Sequence, residues 1–539
     1  MFQPIPGTLQ YNTLIANIEQ GIVKIPQFQR KFVWSIEQTA KLLDSILKGY
    51  PIGSFILWET KERLRSIRDI GNIHLPEPPE GYIVQYVLDG QQRMTSLYVS
   101  MMGVKITGDD KRTIDYSEIY VDFEASMDEE IVITDISGRN MDELIKFTDL
   151  LNGGYKMFAK YPTYGEKLER YSNAFKTYLF STILIKDAPI DIATEIFTRI
   201  NVGGKPLSVF EIMVAKTYDS IRNFDLSEKY DALIERLQNS NCNYDTISSS
   251  TVLQAVSVCL TKECSKKQIL KLNKDDFINI WDHVINALES AVDYFRGFYR
   301  IPVSQLLPYD SLLVPFTYFF FHHKDIPLDK KQEYLQDYFW RVVLTSRFST
   351  SLEAKIGQDI RKIDLILSDQ HPDYDEPVDI TPEYLCNHGW FATGTAYIKG
   401  FLCILAYQQP KSFANNALVN ISNSWLKQAN SKNYHHFFPK AYLAKRNFEN
   451  WEINHIANIT IVDDFLNKRS IRDRAPSKYI ADYQKINPDL EATLATHLIG
   501  PIEESGITNN DYDKFFNHRL QHFSNELRKR LILQPSDHS

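Results

Sequence analysis

Strand-like and helix-like hydrophobic patterns alternate along the first 215 or so residues, and after them the strand signal fades. This change of period constrains the fold most, because periods of two and of 3.6 bury different faces. Ser35-Ile36-Glu37-Gln38 has the form of a capping box. Ile36, Ala40, Leu43 and Leu47 follow at helical spacing, and Gly49 can end that helix. Residues 52–58, 82–88, 119–123 and 178–185 read as strands, and 92–102 and 191–200 as helices. Ser208 opens a further helix. From about 216 to 430 windows such as 276–295, 332–345 and 397–407 are helical, and 372–382, rich in Asp and Pro, reads as a surface connection. After Asn430 the pattern changes again, with a strand at 456–462 and a helix near Tyr479. At roughly 100–200 residues per domain, 539 residues suit about three domains. The expectation is a multidomain α+β chain: an α/β domain over 1–215, a largely α-helical connector over 216–375, and a C-terminal helical domain over 376–539.

Lys plus Arg total 60 against 68 Asp plus Glu, a formal charge of −8, which excludes a wholesale basic coat on nucleic acid. A local basic site is not excluded, because steering depends on where charge sits. The five cysteines (Cys242, Cys259, Cys264, Cys386, Cys403) contain no C-x-x-C pair, so neither a disulfide framework nor a cysteine-based zinc site is indicated. A reducing, cytoplasmic setting fits. The most apolar stretches, 312–321 with Pro315 and 401–407, fall short of the ~20 residues that span a bilayer, and read as core.

Three polar clusters lie at the ends of N-terminal elements. They are Ile25-Pro26-Gln27-Phe28-Gln29-Arg30-Lys31-Phe32-Val33-Trp34, then Asp89-Gly90-Gln91-Gln92-Arg93, then a run from Phe197 through Arg199, Asn201, Gly203 and Gly204 to Ser208. An Asp-Gly at a strand exit allows a tight turn, and the amides after it can face an anion at a helix N-terminus. Asp89 can hold a magnesium ion or a water, and Arg30, Arg93 and Arg199 each offer a planar fork to a phosphate. An Arg or Gln at an element end serves equally well as a cap, so these clusters by themselves reach only as far as an anion site. Phe28, Phe32 and Trp34 suit either the lining of a pocket or the core.

Near the other end, His435-His436 is followed by Pro439, then Asn458 at a strand start, 22 residues after His436, and Asn467 nine residues later. Phosphodiester hydrolysis needs a base to deprotonate water and a hard cation to stabilise charge on the phosphorane and the leaving oxygen. The pattern is that of an HNH (ββα-metal) site. There the second histidine of the pair is the base, so His436 activates water. His435 and Asn467 bind a magnesium-like ion (Mg2+ or Mn2+), and Asn458 bridges the hairpin loop and orients His436. His455 is a competing ligand beside the strand, better suited to a structural role. His322-His323, ending an aromatic run, reads as structural. Between Lys432 and Lys478 nine basic side chains stand against five acidic ones, a local excess of four in an acidic chain. Such a segment supplies salt-dependent affinity for phosphates.

The blocks I-P-x-F-Q-R-x-F-V-W, L-D-G-Q-Q-R and F-T-R-I-N-x-G-G-x-P-L-S resemble the signature blocks of the N-terminal domain in GmrSD-type modification-dependent restriction enzymes, over about residues 7–215. That resemblance implies a fold similar to ParB and sulfiredoxin. It also implies binding and hydrolysis of a nucleoside triphosphate (GTP, ATP or CTP, not distinguished) at Asp89, Gly90, Gln91, Gln92 and Arg93. Gln29, Arg30, Arg199 and Asn201 are implied as neighbours. Sulfiredoxin chemistry needs a cysteine, and none precedes Cys242. Residues 432–480 resemble the HNH nuclease domain at the C-terminus of GmrSD-like proteins, with two departures. Many HNH sites carry Asp or Glu where His435 stands, and the zinc-binding cysteines that staple some of them are absent.

The implied function is a nucleotide-regulated, metal-dependent endonuclease acting on double-stranded DNA, in particular modified phage DNA, as a defence enzyme, with no membrane partner and with a homodimer left open. Two alternatives stand beside it. One is a ParB-like nucleotide-switched DNA clamp with a degenerate nuclease domain; the other is an unregulated nuclease whose N-terminal domain only binds DNA.

Overall fold

The computed structural model describes all residues except 1–2, 27–33, 62–63, 65–68, 71–72, 79–80, 108–112, 201–207, 220, 240–242, 422–433 and 463–472. It divides into two compact units, Met1–Leu226 and Ser227–Ser539. The first is a mixed α and β unit and the second is mostly helical, so the α+β expectation holds at that level. Among the described residues no helix is long and apolar enough to cross a membrane.

The N-terminal unit is built on a five-stranded mixed sheet in the order Ile5–Gln10, Leu179–Lys186, Phe55–Thr60, Val84–Asp89, Val23–Lys24. Leu179–Lys186 runs parallel to Phe55–Thr60, which pairs antiparallel with Val84–Asp89. Phe55, Leu57, Val87 and Phe180 enter one core with Leu43, Leu97 and Phe175 from the helices. Ile36–Leu47 forms the expected helix, and both arms of the Ser35–Gln38 capping box are made. Gln91–Met102 starts directly at the exit of Val84–Asp89. Ser208 caps Val209–Thr217 through a second box with Glu211.

In the second unit the many Tyr and Phe side chains make the core. The helices Lys274–Gly297 and Leu313–His322 pack through Tyr294, Phe295 and Phe316, with the Phe295 and Phe316 rings 4.6 Å apart. The expected apolar segments are therefore buried helices, and Pro315 is accommodated in a first turn, where its missing N–H costs little. His322 ends that helix with its ring against Tyr318 at 4.6 Å.

The stretch 372–382 is more than a surface connection. Val378 and Ile380 are buried, and the Val378 and Ile380 amides donate to Asp537 and to the His538 carbonyl. Arg341, itself buried, holds Asp337 in the same helix at 3.1 Å and Asp537 at 2.6 Å. Segments nearly 200 residues apart are thus joined by a desolvated charge cluster, which is tolerated because each ion has an opposite partner.

Candidate functional site

At the N-terminal turn, Gly90 has φ +90 and starts the helix with no side-chain cap. A Cβ there would lie 2.5 Å from the Phe55 ring, so glycine is required both for the turn and for the close approach. Arg93, one turn into the helix, points back. Its Nη1 donates to the Ile52 carbonyl at 2.6 Å, and its Nη2 donates to the Ser54 carbonyl at 3.1 Å and to Asp89 at 3.3 Å. The guanidinium thereby clamps the Gly53 loop, where a Cβ would lie 2.4 Å from Nη1. Gln91 is buried and Gln92 half-buried, with Nε2 of Gln92 3.5 Å from Oε1 of Gln91. Arg199 lies near the end of Ile190–Ile200, a helix that packs on the strand Val84–Asp89; its exposed guanidinium pairs with Glu195. Gln29, Arg30 and Asn201 lie outside the described residues, as do Phe28 and Phe32.

At the C-terminal site, Tyr434–His436 pairs antiparallel with Ile459–Ile461, His435 opposite Thr460 and His436 opposite Ile459. The connecting segment carries short helices at Lys440–Ala444 and Asn450–Ile453 and a turn at Ile456–Asn458 that leads into the second strand. Asn458 is fully buried and closes this segment. Its Oδ1 accepts from the Phe438 amide at 2.8 Å, and its Nδ2 donates to the Phe438 and Ile453 carbonyls at 3.0 and 3.1 Å. It therefore fixes the backbone two residues past His436, not the ring itself.

The ring is held by Asn454, a residue that sequence reasoning missed. Asn454 Oδ1 accepts from His436 Nε2 at 3.1 Å, while its Nδ2 donates to Asn450. That orientation places the imidazole hydrogen on Nε2 and leaves Nδ1 with the lone pair. Burial lowers the His436 pKa to about 3, Lys440 and His435 acting in the same direction against the Asn454 hydrogen bond. The half-buried ring is neutral at ordinary pH. The run Asn450 to His455, with amides four apart, is the one signal that could have found Asn454.

His435 is buried, consistent with the alternation of adjacent strand residues. Its register partner Thr460 is hydrogen-bonded at 2.6 Å to His497 Nδ1. His455 is structural here: Nε2 donates to the Leu385 and Cys386 carbonyls and Nδ1 accepts from the Ala457 amide. A Cβ on Gly389 would lie 2.1 Å from His455 Nε2, so glycine permits this packing. Among the described residues no three His, Cys, Asp or Glu side chains gather as a cation cage. Asn467 lies outside the described residues, as do Asp463, Asp464, Lys468, Arg469 and Arg472. The described donors at the hairpin are imidazoles and amides, which do not complete a cation site by themselves.

Helices brace the hairpin. Tyr479 on Pro476–Ile486 donates to the Phe437 carbonyl at 2.6 Å, and Phe437 stacks on Phe515 of Tyr512–Arg528 at 4.9 Å. Arg519 of the latter helix, fully buried, donates to the Ile459 carbonyl at 2.8 Å.

Two comparisons bear on these sites. Residues 11–218 match the family model of the GmrSD restriction endonuclease, N-terminal domain. An uncharacterized protein of Methanocaldococcus jannaschii is 24% identical over 594 aligned positions, which cover 97% of each chain.

Proposed function

We propose, taking the match over residues 11–218 as the premise, that this chain is a nucleotide-regulated, metal-dependent DNA endonuclease that cuts modified foreign DNA as a defence enzyme. Its three functional parts are a nucleotide-binding region over 1–215, a helical connector over 216–375 and an HNH nuclease region over 376–539. The observation that carries the chemistry is His436: a neutral imidazole whose Nε2–H is fixed by Asn454, so that Nδ1 can take a proton from water. Asn458 keeps the loop after His436 in one conformation. His435 and Asn467 are the residues that would hold a divalent ion, with waters and the scissile phosphate completing its shell. Such an ion, when bound, stabilises charge on the phosphorane and the leaving oxygen. Lys440, Lys445, Arg446 and Lys478 lie within this segment, exposed, and would supply sequence-independent affinity for DNA.

In the same reading Asp89 to Arg93, with Gln29, Arg30, Arg199 and Asn201, bind the nucleoside triphosphate. The uncapped start of Gln91–Met102 favours an anion there. A phosphate claiming Arg93 must compete with Asp89 and the Ile52 and Ser54 carbonyls, so binding would free the Gly53 loop.

The test is cleavage of plasmid and of phage DNAs with different base or backbone modifications, with magnesium and each nucleotide. Wild type should cut a modified DNA. His436→Ala should lose about 10²–10⁴-fold in rate with an unchanged circular-dichroism melt. No cutting by the wild type on any DNA favours the clamp. Phosphate release from GTP, ATP or CTP, lost in Asp89→Ala, tests the nucleotide site; no release from any of them favours the unregulated nuclease.

A further inference from the structure

The second unit contains a cavity of about 590 Å³ for which the mechanism above has no use. Its lining includes Tyr384, His388, Trp390 and Tyr397 together with Glu376 and Asp379. Tyr384 and His388 stack nearly parallel, 3.9 Å apart with 19° between planes, at the end of Pro382–His388. Trp390 exposes 46% of its surface beside them, so its ring is open to a planar ligand. The Tyr397 hydroxyl has no hydrogen-bond partner among the described residues. One oxygen of Asp379 accepts from the Thr381 amide and hydroxyl. Glu376 is exposed, 3.7 Å from the Arg347 guanidinium.

We propose that this cavity reads a nucleobase turned out of the DNA, one bearing an exocyclic amine such as cytosine or adenine. Flat aromatic faces take a base by stacking. Carboxylates accept from an exocyclic amine and repel a phosphate, so the base enters and the backbone stays outside. The volume exceeds that of a bare base and leaves room for a substituent on it, which is what a sensor of modification requires. The wall is also wired to the hydrolytic residue. Trp390 pairs with His455, the next residue's amide, that of Phe391, donates to the Asn454 carbonyl at 2.8 Å, and the Asn454 side chain holds His436. Extruding a base into a pocket is an established way to inspect it, and it is easiest at a mismatch.

This proposal rests on the endonuclease reading, so its test avoids cleavage. Full-length protein carrying His436→Ala is titrated with deoxycytidine, deoxyadenosine, thymidine and tetramethylammonium by calorimetry. Deoxycytidine and deoxyadenosine should bind more tightly than thymidine. Trp390→Ala should weaken them about tenfold or more, and Trp390→Phe should restore most of the affinity. A short duplex with a mismatched cytosine should compete for the site better than its matched counterpart. Binding of tetramethylammonium alone, absence of nucleoside binding, equal competition by the two duplexes, or indifference to Trp390→Ala would each overturn the assignment. Failure of the wild type to cut DNA would sink the nuclease reading without changing any of these titrations.

Discussion

At the turn after Asp89 an arginine is held by a carboxylate and two main-chain carbonyls, whereas at the hairpin a histidine is held by a neutral amide. Asp89 and Arg93 keep contact with water, so their pairing exchanges readily with an incoming anion. Burial disfavours the charged form of His436, and its partner carries no charge to pull it into the imidazolium form. Under the proposed function, the site that responds to a ligand is built from exchangeable charge, and the site that presents one lone pair from a fixed hydrogen bond.

Acid separates the two regions most strongly. His455 and His497 are buried with pKa values lowered by burial to about 4 and about 3, and His436 behaves alike. Because folding favours the neutral form, their contribution is complete above the unfolded value near 6.5. It is lost as pH falls toward the folded values, by up to ~1.4 kcal/mol per pH unit for each buried histidine. The N-terminal unit has a single histidine, His74. Its shifted acids, such as Asp115, lowered to about 2 by Lys105 and Ser117, withdraw support only below about 4. Hydrogen exchange across a pH titration should therefore show the second unit opening first; simultaneous opening would break the contrast.

Asn458→Ala comes next. It leaves the Phe438 amide and two carbonyls buried without partners, and should cost about 3 kcal/mol in denaturant melts of the second unit, together with cleavage. Arg93→Lys keeps the charge but cannot span three acceptors, and should cost the N-terminal unit about 1–2 kcal/mol. A cost as large as that of Asn458→Ala would mean that the turn is as rigid as the hairpin. The smallest effect belongs to Asn454→Asp. A carboxylate against Nε2 favours the imidazolium and should move the acid limb of the single-turnover cleavage profile up by about one pH unit, with the melt little changed.

Much of the scaffold was legible from local rules. The Ser35–Gln38 box, the glycine after Asp89 and the helix opened by Ser208 follow from nearest neighbours in the chain. So does the early placement of strands, although Phe55–Thr60 begins three residues later than its apolar run, because Gly53 must turn under Arg93. Of the hairpin only the second strand was legible, and it was drawn too long: of 456–462, Ile456–Asn458 forms a turn and the strand is Ile459–Ile461, while Tyr434–His436 is a strand that its polar histidine pair did not announce. What escaped was set by distant partners. Asn454 matters only because the fold brings it to His436, and Gly389 only because His455 lies against it. The 372–382 stretch looked like a linker, because nothing local announces a pairing with residues 537 and 538.

That last pairing has a consequence in time. Arg341 and Asp537 are separated by 196 residues, and ribosomes add about 5–20 residues per second. For about 10–40 s during synthesis the helix carrying Asp337 and Arg341 must wait without its third ion, while the hairpin segment bearing His436 and Asn458 emerges in between. The hairpin is thus synthesised before the clasp that finishes its scaffold, and a nascent chain passes through a stage at which His436 and Asn458 are present in sequence but not yet set in a finished frame.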